Sequence, residues 1–401
     1  LATDWEVSPR LDSEAIGDLM FSNRRRESYD ESRQPELLLA HDDNPRVQAL
    51  ARKSRAGIVD GKPVSKNKVF QYRDAIFEAV LHRFENDPTL VAYGEENRDW
   101  GGAFACYRGL TESLPYHRLF NSPISEAAIV GTAVGYALEG GRALVELMYC
   151  DFMGRAGDEI FNQLAKWQSM SAGILEMPVV LRVSVGSKYG AQHSQDWCAI
   201  VSHIPGLKVV FPATPYDAKG LLISCIEDND PVIFFEPKRI YNGPFSGYYD
   251  KPVQPWKKFD ASVVPEGYYK IPLGKARHVT EGDRLTVLAY GTMVHVVEAV
   301  CREKGVEADI LDLRTLVPLD IEAIEASIER TGRCLIVHEA TRTSGFGAEL
   351  SALVTERCFY HLEAPVERVT GFDTPYPHSL EWAYFPGPIR IGEAIDKILK
   401  D

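Results

Sequence analysis

The sequence predicts an α/β protein with two domains, each built on a mainly parallel sheet flanked by helices. Short apolar runs typical of buried strands alternate with helical periodicity from about residue 69 to the carboxyl terminus. A proline- and glycine-rich stretch at 239–267 interrupts this alternation once. The 401 residues suffice for two or three domains with sizeable cores.

The first alternating unit extends from a helical pattern at 70–84 to a buried strand at 231–236. Between them we predict strand 90–94, helix 125–138, strand 142–149, helix 156–170, strand 178–184 and helix 214–226. Thr214-Pro-Tyr-Asp is typical of a helix N-cap followed by a first-turn proline. Strands that alternate with helices predict a parallel sheet covered on both faces.

The second unit repeats the alternation. We predict strands at 285–290, 308–312, 334–338 and 366–370, and helices at 292–303, 320–330, 346–357 and 390–400. The domains we predict are a charged N-terminal extension at 1–65, a first α/β domain at 66–243, a linker at 244–266 and a second α/β domain at 267–401. The extension carries amphipathic pieces at 14–21 and 46–53, and we expect it to wrap on a partner or to be partly disordered.

Composition argues against several functions. The net charge of −13, without a dense lysine or arginine stripe, disfavours a nucleic-acid surface. No apolar run reaches the roughly 18 residues that a membrane span needs, so we expect no membrane segment. The seven cysteines are scattered, without a Cys-x-x-Cys pair, which predicts reduced and mostly buried thiols in a bacterial cytoplasm or a mitochondrial matrix.

The first candidate functional residue begins the helix predicted at 125–138. Ser125 can cap this helix, and the helix dipole favours a carboxylate at Glu126 in its first turn. The rest of the helix is almost wholly apolar, so we expect it to run through the interior, with Gly131 and Gly135 open to another backbone. The alternative is that Glu126 is only a first-turn charge.

Three more candidates lie in loops, and the first two of them follow predicted strands, where open α/β sheets place ligands. Glu95 lies in a glycine turn with neighbouring acids. Tyr149-Cys-Asp-Phe152 could present an aromatic face to a flat ring. His193, in a polar glycine-rich segment, is the best general acid/base candidate, because histidine titrates near neutrality. An ordinary loop or a core aromatic is the alternative reading in each case.

The last candidate is a helix end, Cys225-Ile-Glu-Asp228-Asn-Asp230. Its carbonyl oxygens and carboxylates could hold a hard cation, because such ions prefer oxygen ligands. A polar C-terminal turn without an ion accounts for the same residues equally well.

Together and in this order, the motifs resemble the β chain of 2-oxo acid dehydrogenase E1 components, thiamine-diphosphate enzymes with a transketolase-like fold. The motifs are Gly94-Glu-Glu with Gly101-Gly102, Ser122-Pro-Ile-Ser-Glu126, His193-Ser-Gln and the stretch 205–222. The likeness extends from about Lys68 to the end. Asp312-Leu-Arg-Thr-Leu, His338-Glu-Ala-Thr-Arg and Asp373-Thr-Pro-Tyr-Pro-His are similar to the branched-chain subgroup in particular.

The resemblance implies a role for each candidate. Glu126 falls on the glutamate that hydrogen-bonds N1′ of the cofactor's aminopyrimidine, and Phe152 falls where an aromatic ring lies against the pyrimidine. His193 matches a histidine near the substrate and the incoming lipoyl group, and Glu95 would line the pocket. The carbonyl groups of Met177, Val179 and Val180, with Cys225, Asp228 and Asp230, align with the family's structural potassium site.

The family's motif for diphosphate and Mg²⁺, which begins Gly-Asp-Gly, does not occur in this chain. In heteromeric members it lies on the α chain, so the resemblance implies half of an active site, functional only with an α-type subunit or half. We expect an α₂β₂ heterotetramer or an α–β fusion, with Mg²⁺ on the partner and a lipoyl acyltransferase (E2) as acceptor. Branched-chain 2-oxo acids lead as substrates, followed by pyruvate or acetoin.

Two alternatives stay open at this point. One is a stand-alone thiamine-diphosphate enzyme of the transketolase or synthase type, which the missing diphosphate motif opposes. The other is a non-catalytic scaffold paralogue, which would bind its partner without turnover.

Overall fold

The structure is a computed structural model that describes residues 20–26, 32–52, 57–59, 62–64, 67–69, 71–187, 189–251, 253, 256, 263–265 and 267–400. Most of the amphipathic piece predicted at 14–21 and parts of the predicted linker lie outside these residues.

The helices, in chain order, are α1 Pro45–Arg52, α2 Tyr72–Asn86, α3 Glu126–Leu138, α4 Ala165–Met170, α5 Cys198–Ser202, α6 Pro215–Glu227, α7 Thr292–Lys304, α8 Ile321–Thr331, α9 Phe346–Cys358, α10 Glu381–Tyr384 and α11 Pro388–Ile398. The strands are β1 Gly57–Val59, β2 Lys62–Val64, β3 Asn67–Val69, β4 Leu90–Glu95, β5 Leu119–Ser122, β6 Arg142–Leu147, β7 Val179–Val185, β8 Lys208–Val210, β9 Val232–Pro237, β10 Val263–Pro265, β11 Arg277–Thr280, β12 Leu285–Ala289, β13 Ala308–Asp312, β14 Thr315–Val317, β15 Cys334–Val337 and β16 Glu367–Val369.

The first large sheet has the strand order β14-β8-β9-β7-β6-β4-β5 over the described chain. All neighbours are parallel except β14, which pairs antiparallel with β8. The two faces of the sheet belong to different cores. Val180 and Phe234 join the core that includes α2 and α6, whereas Leu181 and Phe235 join the core that includes α3. Successive residues of one strand therefore face opposite layers, as expected for a parallel sheet buried on both sides.

The second large sheet has the order β11-β13-β12-β15-β16, with β11 as an antiparallel edge. Two mainly parallel sheets flanked by helices confirm the predicted fold class. The predicted strands and helices of this half lie within a few residues of those observed. The two halves of the sequence do not divide cleanly between the two sheets. Strand β14 comes from the second half of the sequence but extends the sheet of the first half.

The helix predicted at 156–170 is continuous, but its geometry changes along its length. A 3₁₀ segment at Cys150–Ala156 leads through two α-helical residues at 157–158 into a π-helical turn at Glu159–Leu164 and then into the α-helix Ala165–Met170. These turns pack against α3, and such local departures from α geometry are often found at functional sites.

The predictions for α3 are partly wrong. Ser125 holds the N-cap position, but its side chain accepts no capping hydrogen bond. The helix is not interior on every side, because Ala128, Thr132 and Gly135 are exposed although Ile129 and its neighbours are buried. At α6, by contrast, the predicted cap is confirmed: Thr214 Oγ1 accepts from the Asp217 backbone N–H at 3.1 Å.

The described part of the N-terminal extension packs on the chain itself. Arg46 Nη1 donates to the carbonyl oxygens of Ala105, Cys106 and Arg108 at 3.2, 3.1 and 2.6 Å. Its Nη2 donates to Asp74 Oδ1 at 2.9 Å. This arginine therefore ties α1 to α2 and to the segment that follows β4.

All seven cysteines are described, buried and free of disulfides, which confirms the thiol prediction. Across the described ranges, no helix combines the length and apolar character needed to cross a bilayer.

Candidate functional site

Five neighbouring strands of the first sheet end at one edge, in the order β9-β7-β6-β4-β5. They are parallel, so the chain leaves all of them on the same side. Four of the predicted residues lie at or after these ends: His193 after β7, Phe152 after β6, Glu95 at the end of β4 and Glu126 after β5. The fifth strand, β9, is followed directly by Lys238, which was not predicted. The topology thus groups the predicted residues at the carboxyl edge where α/β sheets bind ligands.

Glu95 and Glu126 are both half-buried and feel each other's charge. Burial raises the pKa of Glu95, and repulsion from Glu126 and Glu96 raises it further. The neighbouring Asn97 is fully buried, and its side-chain amide has no hydrogen-bond partner among the described residues. The charge of Glu126 therefore disfavours the ionised form of Glu95 at this edge of the sheet.

Phe152 and His193 belong to one cluster of aromatic rings that also contains Tyr149. The His193 ring centroid lies 4.6 Å from that of Tyr149 and 5.4 Å from that of Phe152, both at steep interplanar angles. Tyr149 and Phe152 are themselves 5.6 Å apart, edge to face. The two aromatic side chains limit the orientations open to the imidazole.

The segment that carries His193 is fixed at both ends. At the start, Ser187 donates from its backbone N and from Oγ to Glu339 Oε2, each at 2.9 Å. At the end, Cys150 Sγ donates to the Gln195 carbonyl oxygen at 2.9 Å. Glu339 follows β15, so the second domain holds the segment in place. Sequence reasoning gave Glu339 no role, although it lies in the quoted His338-Glu motif.

A buried charge network lies beneath the site. Arg182 of β7 makes two hydrogen bonds to Glu236 of β9, at 2.6 and 2.8 Å, and one to Glu146 of β6, at 3.0 Å. Glu146 also accepts from the Ala103 backbone N–H at 3.2 Å. Burial raises the pKa of Glu146 to about 7 although Arg182 opposes this. The network joins three strands to the loop that follows β4.

The residues predicted for potassium are Met177, Val179, Val180, Cys225, Asp228 and Asp230. The structure brings their two segments together, since the Met177 N–H donates to the Asn229 carbonyl oxygen at 3.0 Å. The acid side chains, however, bind an ammonium: Lys208 Nζ lies 2.7 Å from Asp228 Oδ2 and 2.9 Å from Asp230 Oδ2. Ser22 and Asn23 also donate to Asp230.

The two carboxylates therefore share one ammonium group within the chain. Among the described residues no group of three or more histidine, cysteine or acidic side chains is placed to hold a metal ion. Potassium binding through the carbonyl groups of this set stays a prediction.

Comparison with known proteins gives two family matches. Residues 68–244 match the pyrimidine binding domain of transketolase, and residues 274–391 match the transketolase C-terminal domain. In the solved structures, a chain described as "Split gene transketolase, inactive beta4 tetramer" superposes with a TM-score of 0.63 at 20% identity, covering 82% of this chain and 98% of that one. At this identity the likeness shows the fold alone.

Relatives that match over most of their length are more similar to this chain in sequence. The chain is 53% identical to the 2-oxoisovalerate dehydrogenase subunit beta of Pseudomonas aeruginosa, over 81% of this chain and 94% of that protein. It is 40% identical to the mitochondrial 2-oxoisovalerate dehydrogenase subunit beta of Dictyostelium discoideum, over 81% and 86%. It is 41% identical to the acetoin:2,6-dichlorophenolindophenol oxidoreductase subunit beta of Cupriavidus necator, over 81% and 96%.

Proposed function

The chain belongs to the family of 2-oxo acid dehydrogenase E1 β subunits, and from this premise we propose that it supplies the pyrimidine-binding half of a thiamine-diphosphate-dependent 2-oxo acid dehydrogenase. The reaction is the oxidative decarboxylation of a 2-oxo acid, with transfer of the acyl group to a lipoyl-lysine of the acyltransferase component.

One observation carries the proposal. Glu126, Glu95, Phe152 and His193 lie at the ends of neighbouring parallel strands, on one edge of the first sheet. They are the residue types that this chemistry needs: an acid for a ring nitrogen, an aromatic face, and an imidazole that can donate or accept a proton.

The residues present fit an aminopyrimidine. Phe152 is half-buried at the edge of the sheet, and Glu126 is a half-buried acid at a helix N-terminus. The buried amide of Asn97, without a partner among the described residues, lies beside Glu95 on the same edge. Bound thiamine diphosphate supplies a carbon nucleophile and an electron sink for the loss of CO₂. We assign Glu126 to holding the proton at N1′ of the pyrimidine, and Phe152 to one face of that ring.

We assign His193 to proton transfer during acyl transfer to the lipoyl group. The rings of Tyr149 and Phe152 orient its imidazole, and the bonds of Ser187 to Glu339 fix the segment that carries it. A positioned histidine contributes roughly 10²–10⁴ to the rate of such a step.

The diphosphate and Mg²⁺ belong to an α-type partner in this proposal, because the Gly-Asp-Gly motif does not occur here. The expected assembly is an α₂β₂ heterotetramer, or the equivalent half of an α–β fusion, that delivers acyl groups to an E2 acyltransferase. We place it in a bacterial cytoplasm or a mitochondrial matrix, since relatives are bacterial and mitochondrial.

Branched-chain 2-oxo acids are the favoured substrates. The two 2-oxoisovalerate dehydrogenase β subunits support this choice, and 53% identity to one of them carries the most weight. Pyruvate and acetoin are the other substrates to test, because relatives named for each are 38–41% identical.

The test is to co-express the chain with an α-type subunit and to measure CO₂ release from 3-methyl-2-oxobutanoate and pyruvate, and acetaldehyde release from acetoin. Glu126→Gln keeps the side-chain shape but cannot hold the proton, so we expect kcat to fall by about 10² or more. Glu139→Gln, at the exposed C-cap of the same helix, is the matched control and should leave kcat unchanged. Undiminished turnover by the Glu126→Gln complex would remove Glu126 from the mechanism.

A further inference from the structure

A cationic pocket of about 320 Å³ lies next to the site and is not used by the mechanism above. We call it the Lys238 pocket. Three of its lining side chains are cations, and several are aromatic: among the lining residues are Lys238, Arg73, Arg108, Phe104, Tyr189 and Tyr241. Among the described residues no acid lines it. Its own composition therefore leaves an excess of positive charge.

Lys238 is the most unusual of these groups. Its side chain is only 5% exposed, and Nζ has no hydrogen-bond partner among the described residues. The ammonium lies instead over the rings of Tyr149 and Tyr189, at 5.3 and 6.0 Å from their centroids. Buried lysines are nearly always paired, because an isolated ammonium is costly to remove from water.

The electrostatics of the pocket agree with the geometry. Burial lowers the pKa of Lys238 to about 8, and Cys150, Asp151, Glu339 and Asp196 only partly oppose this. None of these four groups hydrogen-bonds the ammonium. An anion that entered the pocket would meet a charge that the protein itself leaves unsatisfied.

The aromatic ring of Tyr149 separates the pocket from His193. Lys238 is the first residue after β9, and β9 is the neighbour of the strand that precedes His193. The Tyr149 ring is in contact with both side chains, since its centroid is 5.3 Å from Lys238 Nζ and 4.6 Å from the His193 ring centroid. A ligand held by Lys238 would therefore lie beside the catalytic cluster.

We propose that the Lys238 pocket is a carboxylate subsite that captures the 2-oxo acid substrate and discriminates against neutral carbonyl compounds. The three cations suit a carboxylate, and Phe104 and Tyr241, stacked at 4.7 Å between centroids, suit a branched aliphatic chain. The identification of the ligand as a 2-oxo acid rests on the proposed function. The preference for an organic carboxylate rests on the pocket alone. An acidic side chain of the α-type partner offers the same chemistry, and the experiment separates the two sources.

The experiment is a calorimetric titration of the full chain, without a partner, using 3-methyl-2-oxobutanoate as the charged probe and acetoin as the neutral one. Lys238→Met removes the charge at nearly constant length, and Lys238→Arg keeps it. We expect the acid to bind at least tenfold more weakly to Lys238→Met and within about threefold of wild type to Lys238→Arg. Lys166→Met, at an exposed lysine bonded to Asn162, is the matched control and should bind the acid as wild type does.

A second variant guards against loss of folding. Arg108 is exposed at the pocket, so Arg108→Met should fold normally and weaken acid binding by about two- to fivefold. Equal binding of the acid by wild type and Lys238→Met, or equal binding of acid and acetoin by wild type, would overturn the proposal.

The assembled complex distinguishes the sources of the carboxylate. If the substrate uses the pocket, Lys238→Met raises KM for 3-methyl-2-oxobutanoate at least tenfold in the complex. If the α-type partner abolishes binding of the acid and the variant leaves KM unchanged, the pocket belongs to the partner's carboxylate and the proposal is wrong. The titration needs no turnover, so an inactive complex would contradict the proposed function and leave this subsite standing.

Discussion

Arg46 offers the clearest test of how the N-terminal segment supports the site. It lies outside the part of the chain that matches the transketolase domains, yet its guanidinium binds three carbonyl groups of the loop after β4. Its guanidinium carbon also lies 4.3 Å from the Phe77 ring centroid. Arg46→Met keeps the packing against Phe77 but removes every side-chain donor.

The magnitude follows from the surroundings of each acceptor. The Cys106 residue is buried, so loss of its charge-assisted hydrogen bond costs about 1.5–3 kcal/mol. The carbonyl groups of Ala105 and Arg108 can reach water, because neither residue is buried, so they add little. The ion pair with Asp74, with both side chains about one tenth exposed, adds about 1 kcal/mol. We therefore expect the loop to lose about 3 kcal/mol of local stability.

Hydrogen exchange of the loop is the assay. The backbone N–H groups of Ala105, Tyr107 and Leu110 are hydrogen-bonded within the loop, so their exchange reports its opening. A loss of about 3 kcal/mol accelerates exchange on the order of 100-fold in Arg46→Met. The control is Arg302→Met, which breaks an exposed pair with Glu298 and should change exchange less than twofold. Acceleration below about threefold in Arg46→Met would refute the assigned role.

Two further predictions concern His193 in the site and Glu146 in the buried charge network beneath it. In the assembled complex, His193→Ala should slow acyl transfer to a lipoyl domain at least tenfold more than it slows ferricyanide-coupled decarboxylation. The variant His203→Ala, at an exposed histidine, is the control. Equal losses in both assays would exclude a role of His193 in acyl transfer. Burial raises the pKa of Glu146 from 4.5 to about 7, so the unfolded chain releases this proton at lower pH than the folded one. The free energy of unfolding, measured with urea, should therefore fall between about pH 4.5 and 7, and Glu146→Gln should reduce that fall by up to about 3 kcal/mol; an unchanged pH dependence would contradict the buried, protonated state.

The sequence predicted what local patterns determine. Apolar runs marked the buried strands, and Thr214 with its following proline marked the start of α6, because these signals lie within a few residues of one another. Glu95 and Phe152 were predicted because each lies at or after the end of a buried strand, and Glu126 because it begins a capped, apolar helix.

The sequence did not reveal features that depend on distant partners. Strand β14 joins the first sheet by pairing with β8 across a separation of about 105 residues, for which no periodicity exists. The pairing of Lys208 with Asp228 and Asp230 was not predicted, because Lys208 lies twenty residues before Asp228 and reaches both carboxylates only in space. Lys238 was overlooked because its lack of a partner is visible only once its surroundings are known.

The loop after β4 connects these features. Arg46 holds its outer side, while Glu146 accepts from the Ala103 N–H and ties its inner side to the network of Arg182. Phe104, between these attachment points, forms a wall of the Lys238 pocket and lies 6.1 Å from the Tyr149 ring that touches His193. Loosening the loop from either side therefore moves the pocket wall before it disturbs the parallel pairing of β4, β6, β7 and β9. We therefore expect Arg46→Met to weaken binding of the 2-oxo acid to the Lys238 pocket while the two large sheets stay folded.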